Sequence, residues 1–184
     1  MQQSIRVLSR STTEPISLNE AKAHLRVDFT DDDAYIQGLI SAARDFAEGF
    51  QHRSILDYTY EVTQDRFSYP IYLQNLPVKA VSSITFTRFD GTVGTVDPNS
   101  YIVTVDGKII PKLYWPADYL QFADAIKITY TAGAGGVSSP STKQAMLILI
   151  GHWYEYREVV VASSRQLNEI PFTARSLLWM GKDR

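Results

Sequence analysis

Apolar positions recur at helical spacing from Pro15 to Leu56, and from Leu56 onward they recur at every second residue. Ile36, Leu39, Ile40, Ala43, Phe46, Ala47 and Phe50 fall at offsets of 3, 4, 7, 10, 11 and 14 from the first, one stripe of a helix over 31–51. Ser17 followed by Glu20 is a capping box, so a shorter helix over 17–27 precedes it. Asp31, Asp32 and Asp33 open the second helix, where carboxylates meet unpaired N–H groups and the positive end of the helix dipole.

After Ile55 the pattern alternates. Leu56, Tyr58, Tyr60 and Val62 point to one side, and Asp57, Thr59, Glu61 and Thr63 to the other, which is a half-buried strand. Further strands are predicted at 70–74, 80–89, 92–96, 101–105, 108–114 and 124–131. Asp90-Gly91 and Asp106-Gly107 sit between apolar runs as hairpin turns. The middle of the chain thus reads as an antiparallel β unit joined mostly by hairpins, with Tyr114-Trp115-Pro116 closing one run.

Gly133–Ser139 reads as a flexible joint, and Ser139-Pro140 as a capped helix start. The helix over 140–157 is apolar around most of its circumference, which suits a central core helix or one shared between subunits. Residues 158–168 show no period and read as a loop. A last helix from Pro171 carries Ile170, Ala174, Leu177 and Leu178 at helical spacing and ends near Gly181. Residues 1–14, with Arg6 and Arg10, read as a flexible N-terminal arm. The predicted class is α+β: one domain over 15–184, whose helical core (15–54 and 139–184) comes from N- and C-terminal helices, with an antiparallel β unit inserted at 55–132.

Composition narrows the function classes. The apolar share of 45% supports a packed core and excludes disorder throughout. A net charge of −2 argues against a dedicated nucleic-acid binder, whose affinity comes from neutralising phosphates. It does not exclude a surface past which DNA slides, since weak attraction leaves a duplex free to move. Cysteine is absent, so thiolate and disulfide chemistry are too. The N-terminus lacks the apolar core of a signal peptide, and the aliphatic run Ala145–Ile150 is far short of the ~20 residues that span a bilayer. A soluble protein with no membrane partner is expected.

Candidate chemistry is sparse. His152 and Glu155 share a helix face, but His24 and His52 complete no metal-ligand spacing, and core or interface histidines are the simpler reading. Asp28 and Asp31–Asp33 lack the calcium-loop pattern and suit a capped, solvated elbow. Gly133–Gly136 lacks the Lys of a phosphate loop, and no serine sits in a nucleophile elbow. The 11 tyrosines, 8 phenylalanines and 3 tryptophans mostly occupy strand alternation or helix stripes, so burial explains them better than base stacking. No enzyme, cofactor or metal site is expected.

In order along the chain, several segments resemble one family. PISLNEAKAHLR (15–26) is similar to a "P-[IV]-[ST]-L-x-E-A-K-x-H-L-R" opening, and LPVKAVSSITFTRFDG (76–91) to an "L-P-x-x-x-V-x-S-I-x-[YF]" strand and turn. DPNSYIVTVDGKI (97–109) is similar to a "Y-x-[VL]" hairpin, and IKITYTAGAG (126–135) to a "V-x-Y-x-A-G" exit. STKQAMLILIGHWYEYRE (141–158) resembles the helix "A-[IL]-x-x-[LIV]-x-x-[HY]-W-[YF]-E-x-R-E", and PFTARSLLWMGKDR (171–184) a closing "P-x-x-[AV]-x-x-L-L". This is the pattern of the head–tail connector (adaptor, or head completion) proteins of long-tailed bacteriophages and gene transfer agents. Trp179-Met180-Gly181 departs from it, standing where relatives often end in "P-Y-R".

The resemblance implies a non-enzymatic virion subunit of the capsid–tail neck, present in the host cytoplasm during assembly. It implies a ring of copies, dodecameric in the virion, joining the portal to a stopper or tail-completion protein while double-stranded DNA passes through the lumen. Ile36, Leu39, Ile40, Phe46, Leu147, Ile150 and Trp153 would belong to the ring body and core helices. Arg175, Leu177, Leu178, Trp179, Lys182 and Arg184 would meet the portal, with Leu177 and Leu178 equally suited to completing the core. The alternative is a nucleic-acid-binding phage assembly factor that uses the aromatic β unit.

Overall fold

The structure, a computed structural model, describes residues 3–157 and 171–182. The chain divides into two compact units, each drawn from separate stretches: a β unit (Met1–Thr12 and Leu56–Gly135) and a helical unit (Thr13–Ile55 and Gly136–Arg184). Helices and antiparallel sheets together make an α+β protein, with helices toward both ends of the chain flanking a β region.

In the β unit, β1 (Ser4–Arg10), β2 (Tyr58–Gln64), β4 (Val78–Thr87), β5 (Val93–Thr95) and β8 (Ile126–Ala132) form one sheet in the order β1-β2-β8-β4-β5. A smaller sheet runs β3-β7-β6, from β3 (Ile71–Tyr72), β7 (Lys108–Pro111) and β6 (Tyr101–Val103). Alternation puts Tyr58, Tyr60, Val62 and Gln64 of β2 inside. In the centre of the large sheet, Ile128 of β8 lies opposite both Val62 and Ile84. Ile71, Leu73, Tyr101 and Ile109, in or beside the small sheet, pack into the same core. Each large apolar side chain buried there contributes about 1.5–3 kcal/mol. Tyr130 stacks on Tyr60 at 5.4 Å and donates its hydroxyl to the Gln74 carbonyl at 2.8 Å. Burial pushes the pKa of that hydroxyl far above the ordinary tyrosine value.

Three features depart from the pattern reading. Residues 4–10 are not a free arm: β1 pairs along β2 from Ser4↔Thr63 to Arg10↔Tyr58, and its own alternation is masked by edge exposure and a register shift between Val7 and Ser9. The two predicted hairpins join β4 to β5 and β6 to β7, but the pairs at the centre of the large sheet, β2–β8 and β4–β8, are long-range. The glycine segment is also pinned within each unit. At Gly133 (φ +142°) a Cβ would lie 1.9 Å from the Leu56 carbonyl oxygen, Gly135 N–H donates to Asp57, and Gly136 N–H donates to the Ile55 carbonyl.

The helical unit comprises α1 (Leu18–Leu25), α2 (Asp33–Gln51), α3 (Pro140–Glu155) and α4 (Phe172–Met180) among the described residues. Ser17 Oγ accepts from Glu20 N–H while Glu20 accepts from Ser17 N–H, completing the capping box, and Glu20 also takes Lys143 Nζ at 2.6 Å. Those contacts hold the Glu20 carboxyl below its ordinary pKa, the Lys143 hydrogen bond most of all. Ser139 Oγ accepts from Thr142 N–H at the start of α3, with Pro140 in the first turn. The apolar stripe of α2 meets Ala145, Met146, Leu149 and Ile150 of α3 in the core.

Two buried polar contacts fix this unit. Gln51 Nε2 donates to Thr142 Oγ1 and to the Leu178 carbonyl, both at 2.9 Å, tying α2, α3 and α4 together. Arg44, fully buried, lies 3.4 Å from Glu14 Oε2, an ion-pair distance without hydrogen-bond alignment, and 3.0 Å from Asp45. Removing Glu14 would leave that guanidinium undercompensated, a costly state for a buried charge. The predicted loop at 158–168 lies outside the described residues.

Gly181 follows α4 with a helical backbone, yet a Cβ there would sit 2.3 Å from Thr142 Oγ1, 2.8 Å from Ser139 Oγ and 2.9 Å from Gln51 Nε2. Gly181→Ala is expected to disrupt this knot and destabilise the helical unit by about 1–3 kcal/mol. Gly49→Ala, on α2 with open space around it, should stabilise by up to about 1 kcal/mol. Thermal melts followed at the helical circular-dichroism signal check both, and equal melts for the two variants would contradict the assignment.

Candidate interaction surfaces

The last helix has two unlike faces. Ala174 and Leu178 point into the helical core and Leu177 is half-buried against it. Leu178 therefore completes the core and is unavailable to a partner. Phe172, Arg175, Trp179 and Met180 point outward, with Trp179 63% exposed. Trp179 packs edge-on against Phe50 at 5.9 Å, and Lys182 Nζ lies 5.3 Å above its ring. Arg184 lies outside the described residues.

From Trp179 the aromatic contacts continue. Phe50 lies 6.2 Å from Phe46, and Phe46 lies 6.3 Å from Trp153 in a T-shaped contact. Phe46, Phe50 and Trp153 are half-buried, as are Leu39 and Leu147, whereas Ile36, Ile40 and Ile150 are sealed in the core. The sequence-predicted helix residues thus divide into a buried set and a set along the surface. On another side of α2, Gly38, Ala42 and Gly49 are exposed; offsets of 4 and 11 put them within about 40° of one another around the helix.

Between the start of α2 and the end of α3 lies a clamp that residue spacing did not reveal. The Arg157 guanidinium sits 4.5 Å from the Tyr35 ring and 4.9 Å from the Tyr154 ring, and it donates to Asp32 at 2.8 Å. Tyr154 donates its hydroxyl to the same carboxylate at 2.5 Å. Asp32 stands at the N-cap of α2 but makes no side-chain cap, and Asp33 pairs with Lys22 at 2.5 Å. Asp32 and Asp33 are spent on tertiary contacts instead of on orphan N–H groups. The Tyr154 hydroxyl, then Arg157, hold the Asp32 carboxyl below its ordinary value of 3.8, and Asp32 in turn pushes the Tyr154 hydroxyl up.

Among the described residues, no group of three His, Cys, Asp or Glu side chains is placed to hold a metal ion. His152 lies against Tyr156, with ring centroids 5.2 Å apart. No described helix is long and apolar enough to cross a membrane. In the β unit a cleft lined by Ser4, Arg6, Glu61, Thr63, Asp124 and Lys127 is polar, and in its Arg6–Glu61 pair (2.8 Å) the arginine is exposed and the glutamate mostly covered.

A depressed carboxyl contributes stability above its unfolded pKa and loses it as pH falls through the folded value. Asp32→Asn should therefore melt below the wild type at neutral pH, with the gap closing as pH drops below about 4. Paired melts across pH 2.5–7 test this, and a gap independent of pH would rule out the ionised clamp.

Known proteins supply the context for this geometry. The model of the family described as "Head completion protein" matches residues 14–178. The fold is similar to a chain of the virion of a native gene transfer agent (GTA) particle, with TM-score 0.75 and 19% identity over 97% of this chain and 94% of that one. It is similar to a chain in the neck of an empty GTA particle computed with C6 symmetry, with TM-score 0.73 and 19% identity over 99% and 95% of the two chains. A chain in the neck of a native GTA particle computed with C12 symmetry gives TM-score 0.72 and 18% identity over 96% and 94%. Comparison with curated protein sequences returns no match. With the family pattern spanning nearly the whole sequence and this fold beneath it, the chain belongs to the head completion protein family.

Proposed function

We propose that this chain is a structural subunit of the virion neck, a head–tail connector whose copies close into a ring between the capsid portal and the tail-side proteins. The observation that carries this reading is the family match over residues 14–178, supported by a fold shared with GTA neck chains along almost its full length. The role is mechanical: the subunit binds neighbours on several faces and leaves a passage for DNA.

Ring closure needs a heterologous contact, in which one face of a subunit meets a different face of the next. The exposed Gly38, Ala42 and Gly49 of α2 suit such a face, because small residues let a neighbouring element approach closely. The outward face of α4 suits portal docking: Phe172, Trp179 and Met180 offer apolar anchors, and Arg175 and Lys182 add positive charge beside them. A twelve-copy ring fits the C12 symmetry of the GTA neck to which the fold is similar. The balanced charge of the chain, −2 overall, favours a lumen that holds a passing duplex weakly.

Reconstitution with the cognate portal tests the reading. Electron microscopy of wild-type protein with portal should show rings seated on the portal. Gly38→Trp should melt within about 1 kcal/mol of the wild type, as expected for a surface position, yet fail to form rings. Wild-type protein that stays monomeric and unattached in the presence of portal would refute the proposal.

A further inference from the structure

The large sheet has two open edges, β1 on one side and β5 on the other. On β5, Arg88 N–H donates to the Thr92 carbonyl at 2.8 Å and Val96 N–H donates to the Ile84 carbonyl at 2.9 Å. Antiparallel alternation then turns the N–H and C=O of Val93 and Thr95 away from β4. On β1, Ser11 N–H donates to the Asp57 carbonyl at 2.8 Å, which turns the backbone groups of Arg10 outward in the same way. Apolar side chains stand beside this open backbone: Val93 is 65% exposed, Val7 52% and Leu8 46%. Leu8 is the extra residue of a bulge, since Val7 lies opposite Tyr60 and Ser9 opposite Thr59.

Edge strands are commonly guarded by charge, proline or a covering element, and an apolar open edge is a template for a further strand. Charge selects which strand. Around β1, the cations Arg6, Arg10 and Lys127 outnumber the anions Glu61 and Asp124. Arg6 is exposed although paired to Glu61, and Arg10 makes no ion pair among the described residues. The neighbouring Asp57–Lys79 pair and the adjacent Asp65 and Arg66 each sum to zero. Around β5, Asp90, Asp97 and Asp118 outnumber Arg88 and Lys112. Arg88 is paired to Asp118, whereas Asp90 and Asp97 bracket the strand and accept from the N–H groups of Thr92 and Asn99. Each edge thus has its complement in the other edge, on a second copy of this chain.

Strand direction agrees. From β1 through β2, β8 and β4 to β5 every pair is antiparallel, so β1 and β5 run the same way. Copies in a ring of twelve are turned about 30° from one to the next, which nearly keeps that sense. The edges then meet as a parallel pair. With Val93 set beside Leu8, Arg6 and Asp90 lie two and three residues before the match, and Arg10 and Asp97 two and four after it. Long arginine side chains bridge such offsets. β5 has three residues and forms few hydrogen bonds, so the pair sets the register between copies and does not hold a ring alone.

We infer that β5 of one copy adds to β1 of the next as a parallel strand pair, joining the large sheets of neighbouring copies. The inference rests on the ring reading above and gives that ring a contact in the β unit.

The chain has no cysteine, which makes cross-linking a direct test. The L8C/V93C chain is assembled on the cognate portal and oxidised, and a parallel sample is treated with a short bis-maleimide. Within one chain, four strand spacings of about 4.8 Å separate the two positions by roughly 19 Å, beyond the ~7 Å limit for a disulfide. Denaturing gels should show a covalent ladder rising to the closed ring, with L8C and V93C alone remaining monomeric. Rings seen by electron microscopy without a ladder from either reagent would overturn the inference and leave the connector reading standing; a strand from a different protein on these edges gives that result. Dimers from L8C alone would also overturn it, because β1 would then pair with another β1. Absence of rings from wild-type protein with portal would remove the ring reading, and the inference with it.

Discussion

Both cores of this protein are closed by the same late stretch of chain. β8 (Ile126–Ala132) lies in the middle of the large sheet, paired on both sides, and α3 (Pro140–Glu155) packs against the apolar stripe of α2. Before residues 126–150 arrive, β2 and β4 have no shared partner and the α1–α2 hairpin has no cover for its stripe. An isolated two-helix hairpin or a few unpaired strands cannot offset their conformational entropy. Folding of the two units is thereby tied to one segment, and the long-range pairing that results is of the kind that slows folding.

Hydrophobic burial sets which faces turn inward, but polar contacts set how the helices meet. Gln51 reaches α3 and α4 together, Asp32 gathers Tyr154 and Arg157 at the opposite end of α2, and Arg44 holds Glu14. Each contact is costly to break from one side because it leaves a polar or charged group without its partner. The helical unit is therefore stiff, and a stiff unit can hold exposed side chains in fixed places. Trp179 shows this: its ring rests on Phe50, yet most of its surface is open.

Surfaces of unlike chemistry lie on separate elements of the protein. The small-residue side of α2, the basic apolar face of α4 and the exposed Phe89, Tyr119 and Phe122 of the β unit differ in shape and charge. Such differences suppress wrong pairings as well as favour right ones. The depressed carboxyls, such as Asp32, Asp57, Asp90 and Asp106, each answer to their own local partner.

Local chemistry wrote much of this structure into the sequence. The Ser17–Glu20 box, the α2 stripe, the Ser139-Pro140 start, the β2 alternation and the Asp-Gly turns each depend on residues a few positions apart, so spacing alone revealed them. The family pattern was legible for the same reason, being carried by short motifs in order. What spacing could not supply were partners far away in the chain. β1 reads as an arm until β2 is placed beside it, and Asp32 reads as a helix cap until Tyr154 and Arg157 reach it. Leu178 and Trp179 are adjacent apolar residues, and only the packing of α4 on the core decides that one is buried and the other left exposed. Periodicity is a property of neighbours, whereas burial and pairing belong to whatever the fold brings alongside.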